Sequence, residues 1–95
     1  MDHEVEKFMH ACDTEDIETM NNLFAAVHDK IDMGLEIAKA TKNGNLSIVK
    51  CLHQHGVNLN GDIKIPFIIA ASKGHMDVID YLLKNKVDYH FQKKR

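Results

Sequence analysis

Tryptophan is absent from this chain of 95 residues, proline and arginine occur once each (Pro66 and Arg95), and cysteine occurs only twice. Each scarcity closes off a class of protein. Cys12 and Cys51 lie far apart among apolar neighbours, with no metal-like spacing, so they read as buried small hydrophobes with free thiols. No apolar run approaches the roughly 20 residues that a membrane span needs. The start, Met1-Asp2-His3-Glu4-Val5-Glu6, is acidic where a leader sequence would be basic, so the expected location is cytoplasmic, with the nucleus as the alternative. No glycine-rich phosphate loop is present, and no serine, histidine and aspartate stand in a nucleophile context.

The remaining reactive side chains have plainer readings. Asp13, Glu15, Asp16 and Glu18 could supply an acid and a base only in a shared pocket that moved their pKa values apart. They read instead as a solvated helix start. Among seven histidines, His53 and His55 are the nearest to a metal pair, yet two residues apart on a helix they face different ways and no further ligand completes a set. They read as exposed helix-end histidines beside the negative end of the dipole. The expectation is therefore no enzyme, no metal and no cofactor.

What is present is the composition of one soluble globular domain covering residues 1–95, with 44% hydrophobic and 27% charged residues. The net charge of −2 conceals two opposite halves. Residues 1–36 carry ten acids against Lys7 and Lys30, a net of −8, while residues 37–95 carry ten bases against Asp62, Asp77, Asp80 and Asp88, a net of +6. One end is an acidic pole and the other a basic one.

A repeat of about 30 residues runs through the chain. Ala40-Thr41-Lys42-Asn43-Gly44-Asn45-Leu46-Ser47-Ile48-Val49-Lys50-Cys51-Leu52 lies over Ala70-Ala71-Ser72-Lys73-Gly74-His75-Met76-Asp77-Val78-Ile79-Asp80-Tyr81-Leu82, keeping the alanine, the glycine and the main aliphatic positions. A fainter first copy puts Ala11, Ile17, Met20 and Leu23 in the places of Ala40, Leu46, Val49 and Leu52, with Glu15 where the glycine would be. Apolar steps of three and four, such as Met76, Ile79, Leu82 and Leu83, place each second segment on one helix face. A shorter apolar helix precedes each turn: Phe8-Met9 with Ala11-Cys12, then Leu35, Ile37, Ala38 and Ala40, then Phe67 to Ala71. Gly44, Gly74 and Gly56 suit left-handed helix ends, and Asn45, Asp13 and Asp16 suit the starts of following helices. Units are expected over about 5–29, 34–59 and 64–89, followed by a basic tail at 90–95. The expected fold class is all-α.

The stretch Ile65-Pro66-Phe67-Ile68-Ile69-Ala70-Ala71-Ser72-Lys73-Gly74-His75, ending in Leu82-Leu83, resembles the ankyrin repeat with its Thr-Pro-Leu-His, Ala-Ala, Gly-His and Leu-Leu steps. Val87-Asp88 and Val57-Asn58 resemble its closing step. The resemblance implies a solenoid of three helix-turn-helix repeats with shortened hairpin loops. Ala11, Ala40, Gly44, Leu52, Gly56, Pro66, Ala70, Ala71, Gly74, His75, Leu82 and Leu83 would then be structural repeat positions. Ile65 and Ile68 replace the family's threonine and histidine, which shifts packing toward apolar contact. Lys86 and Val27 replace the closing glycine, and Asn60 to Lys64 form a trimmed hairpin stub. The outer face of Val78 and Leu82 would need the tail for cover, with self-association if exposed.

The resemblance also implies a concave palm that binds another protein. It would be made of His10, Lys39 and Ile69, which precede the alanines, with Asp13 and Thr14, Lys42 and Asn43, Ser72 and Lys73 before the turns, and Asp62 and Lys64 from the stub. The lysines form a basic strip that fits an acidic partner surface. The expected function is a stoichiometric inhibitor or adaptor, with a host–pathogen role by analogy to the family's use in hosts, bacteria and viruses. Two alternatives use the basic half differently: nucleic-acid binding, disfavoured by the single arginine and few aromatics, and self-association as a homo-oligomer.

Overall fold

The computed structural model describes residues 2–59 and 64–85. Within them lie six helices and no strands, in accord with the all-α expectation. They are α1 (His3–Thr14), α2 (Ile17–Val27), α3 (Met33–Asn43), α4 (Leu46–Gln54), α5 (Lys64–Ser72) and α6 (Met76–Lys84). Successive helices pair as α1 with α2, α3 with α4 and α5 with α6, and the pairs stack through α3 on α5 and through the row α2, α4, α6. The result is a solenoid about 47 Å long and 22 Å wide.

The three tight turns share one hydrogen-bond pattern, and it explains the repeat. In each, the first residue past the turn donates its backbone N–H to a buried alanine carbonyl: Asp16 to Ala11 at 2.8 Å, Asn45 to Ala40 at 2.8 Å and His75 to Ala70 at 2.9 Å. Such a closure requires a left-handed residue. Gly44 (φ 77°) and Gly74 (φ 81°) take it without strain, and Glu15 adopts the same region at φ 57°, where a side chain costs roughly 1–2 kcal/mol. Gly56, at φ 94°, ends α4 in the same manner, with the Val57 N–H on the Leu52 carbonyl.

Helix starts differ along the chain. Asp2 Oδ1 accepts from the backbone N–H groups of Glu4 and Val5 (2.9 and 3.4 Å), Asp16 Oδ1 from Thr19 (3.2 Å) and Asp32 Oδ1 from Leu35 (3.1 Å). Asn45 stands at the start of α4 as expected, though without a side-chain cap bond, whereas Asp13 lies inside α1 and not at the start of α2. The first three helices carry carboxylate caps, each worth about 1 kcal/mol.

The core runs along the stack through Phe8, Met20, Val27, Val49, Leu52, Val78 and Leu82, all fully buried, with Ile37, Ile48 and Cys51 beside them. Burying each large side chain contributes about 1.5–3 kcal/mol. Three expectations need correction. In α6 the buried stripe is Val78, Ile79 and Leu82, whereas Met76 is 56% and Leu83 39% exposed; at 100° per residue these two fall beyond the arc facing α4 and α5. Val78 and Leu82 are fully buried; the tail expected to cover them lies outside the described residues. In α5 only Ala70 is buried. Ala71, Ile65 and Ile68 are exposed, so the isoleucines standing for threonine and histidine add apolar surface rather than interior packing. Lys64 begins α5 instead of belonging to a stub, and Asp62 with residues 86–95 lies outside the described residues.

Candidate binding face

Two grooves flank α3, and between them they gather five of the eleven residues expected to form the palm. The groove between α1 and α3, of about 190 Å³, holds Asp13, Lys39 and Asn43 beside Cys12 and Glu36. The groove between α3 and α5, of about 210 Å³, holds Lys39, Lys42 and Ile69 together with Leu35, Ile65 and Pro66. Lys39 lines both, so it is the hinge of the face. Lys64, Ser72 and Lys73 are exposed on α5 and its turn. His10 is also exposed, but it lines a separate groove with His3, Glu6 and Asp16 at the acidic end. It does not join the lysines.

The lysines are not equivalent. Lys39 Nζ lies 3.2 Å from a carboxylate oxygen of Glu36, whose side chain is only 6% exposed. A carboxylate so withdrawn from water leans on its one cation, because an unpaired buried charge is costly. Among the described residues no carboxylate lies within ion-pairing distance of Lys42 or Lys73. Spacing at i, i+3 made the Glu36–Lys39 pair readable; the burial of Glu36 was not. Leu35, 54% exposed, and Ile65, 62% exposed, are apolar members of the face that the palm expectation left out, although the departure of Ile65 from the family's threonine marked that position.

Cys12 is half-buried in the α1–α3 groove, less enclosed than Cys51, which is buried. Burial pushes the Cys12 thiol up to about 12, and the Glu36 and Asp13 carboxylates add to the effect. The Cys12 thiolate is scarce at neutral pH, which makes this thiol a poor nucleophile. Both thiols are free.

The histidines at the end of α4 make contacts that local spacing does not show. His53 Nδ1 is hydrogen-bonded to the Tyr81 hydroxyl of α6 at 2.6 Å, its ring edge-on to the phenol. His55 donates from Nε2 to Asn21 Oδ1 of α2 at 2.7 Å and stacks on Phe24 with ring centroids 4.3 Å apart; Asn21 Oδ1 also accepts from the Cys51 thiol at 3.4 Å. One histidine ties α4 forward and the other ties it back. Both stand at the end of α4 as expected, His55 exposed and His53 half-buried, and both also make contacts across the stack. Among the described residues no group of three or more histidine, cysteine or carboxylate side chains is placed to hold a metal ion. No helix among them is long and apolar enough to cross a membrane.

Comparison with known proteins agrees with this architecture. The family model described as "Ankyrin repeats (3 copies)" matches residues 8–93. An L-asparaginase from Dirofilaria immitis is 36% identical over 58 residues, which cover 56% of this chain and 10% of that protein. The chain thus spans about a tenth of that relative's length, and the activity in its name belongs to that protein. No solved structure matches the chain. With three alanine-closed turns, six paired helices and a family match over nearly its whole length, the chain belongs to the ankyrin repeat family, whose repeats generally mediate protein–protein interaction.

Proposed function

We propose that this chain is a stoichiometric protein-binding module, an inhibitor or adaptor, that receives an acidic partner surface across α3 and α5. One observation carries the reading. Lys42 stands without a carboxylate partner among the described residues at the rim of a groove whose other members include the exposed Leu35 and Ile65. Charge beside apolar surface in a concavity suits a protein ligand, because burial supplies affinity while the cations steer encounter and fix orientation. Lys73 extends the positive strip, and Ile69 joins it to the groove floor. The protein acts by occupying a partner's surface, not by catalysis.

The test is affinity capture from native lysate, comparing wild type with Lys42→Glu/Lys73→Glu. Lys39 is spared because reversing it would place two carboxylates beside each other around Glu36. The expected outcome is a partner lost from the double variant, whose helicity and melting match wild type. Equal recovery of the partner by both proteins would show that binding uses another surface.

A further inference from the structure

The two flanks of α3 carry opposite charge. In the groove on its α1 side the carboxylates of Asp13 and Glu36 face a single ammonium, that of Lys39. Glu36, only 6% exposed, holds Lys39 at 3.2 Å. The exposed Asp13 is the surplus, with no base in ion-pairing distance among the described residues. The Cys12 thiol in the same groove senses this balance. Beyond the effect of burial, Glu36 and Asp13 each raise its pKa more than Lys39 lowers it.

The groove on the α5 side has the other sign. Among the described residues its charged members are Lys39 and Lys42, set beside the apolar Leu35, Ile65 and Ile69. Since Lys39 is held by Glu36, Lys42 is the surplus there. Lys73 and Asp77, both exposed near the third turn, line neither groove and carry opposite charges, so they leave this balance unchanged.

A helix with its side chains is about 10–12 Å across, and exposed charges are screened beyond about 8 Å at physiological salt. Each groove therefore acts on the ligand group directly above it. A ligand of one sign is attracted at one flank and repelled at the other, whereas a ligand with both signs is matched twice.

We infer that the segment received by this face is bipolar: a peptide crossing α3 with an arginine or lysine over the Asp13 and Glu36 side, and an acidic residue flanked by aliphatic ones over Lys42, Leu35 and Ile65. The inference rests on the lysine face proposed above and adds a second charge to its ligand. Charge complementarity selects this occupant over a uniformly acidic one. A base and an acid three residues apart fit the width of α3, because they span about 10 Å of extended chain.

NMR titration of the full chain at about 0.15 M salt, where the two flanks are screened from each other, tests this. Three peptides share one frame: Gly-Arg-Ala-Leu-Glu-Leu-Gly, its all-acidic form with Glu in place of Arg, and its all-basic form with Arg in place of Glu. All are made in both sequence orders, and the order that binds more tightly is scored. Wild type should bind the bipolar peptide about fivefold more tightly than either one-sign peptide, the size expected of an exposed ion pair. Asp13→Lys should shift the preference to the all-acidic peptide, and Lys42→Glu to the all-basic one. Glu36 and Lys39 are left intact because each is the other's partner. Should either variant be misfolded by circular dichroism, Asp13→Asn or Lys42→Gln replaces it, and the bipolar peptide should then lose its advantage over the all-acidic or the all-basic one, respectively. If wild type binds the all-acidic peptide as tightly as the bipolar one, or if neither variant changes the preference, the inference is overturned and the lysine face stands. A wild type that prefers the all-basic peptide, or binds none of the three at millimolar concentration, would overturn both.

Discussion

The middle helix pair and the last one look alike in sequence and are built differently. α3 and α4 bury residues on nearly every turn, from Met33, Ile37 and Ala40 to Ile48, Val49 and Leu52, because they have neighbours on both sides. α5, with the more continuous apolar run, buries Ala70 alone and leaves Ile65 and Ile68 in contact with water. Apolar content therefore tells how much a helix could bury, while its neighbours decide how much it does. The closest resemblance to the family lies over the less buried pair, since the family's signature is a turn and a closure, not a core.

The largest expected effect sets the two pairs against each other. Leu52→Ala, in the fully buried centre, should destabilise by about 2–5 kcal/mol, a large share of the roughly 5–14 kcal/mol available to a domain of this length. Ile65→Ala should lie within about 0.5 kcal/mol of wild type. Urea denaturation reads both, and comparable losses would mean that α5 is packed as tightly as α4.

A smaller contrast separates the turns. Gly44→Ala and Gly74→Ala both force a side chain into the left-handed region, at about 1–2 kcal/mol each. At Gly44 alone the new methyl also meets the His75 ring, while the space around Gly74 is open. Gly44→Ala should thus be the worse by about 1 kcal/mol, as steric displacement adds to strain. Equal melting of the two variants would separate the second turn from the third.

The smallest effect distinguishes the ends by acid. The Lys30 ammonium holds the Asp2 carboxyl below its ordinary 3.8, and hydrogen bonds from the Thr19 hydroxyl and backbone do the same for Asp16. A depressed carboxyl contributes stability that is present above 3.8 and is lost as pH falls through the lower value of the folded state. Asn45, at the start of α4, cannot titrate in this way. Amide exchange should show α1 and α2 losing protection as pH drops below 3.8, ahead of α4. Simultaneous loss would deny the caps that role.

How much of this was legible follows from the range of each interaction. The alanine and glycine positions were readable because one local hydrogen-bond closure recurs at Ala11, Ala40 and Ala70. The left-handed Glu15 followed from aligning it with Gly44. Lys39, Lys42 and Ile69 fell on one face because repeat register fixes face. The exposed Leu35 and Met76, by contrast, depend on which arc of a helix meets a neighbour, which periodicity leaves free by a turn. His53 with Tyr81 and His55 with Asn21 join residues 28 and 34 apart, and only the stacking brings them together. His10 shares its repeat position with Lys39 and Ile69, yet the geometry of α1 sets it in another groove.

The acidic ligand is proposed to sit on the lysine side of α3 and α5. Amide chemical-shift mapping by NMR during a titration with deca-glutamate tests it most directly. Shifts concentrated at Lys39, Lys42, Ile69, Ser72 and Lys73, and absent from Phe24, His28 and His55 on the opposite side, are the predicted result. Shifts centred on those three, or spread evenly over the surface lysines, would contradict it.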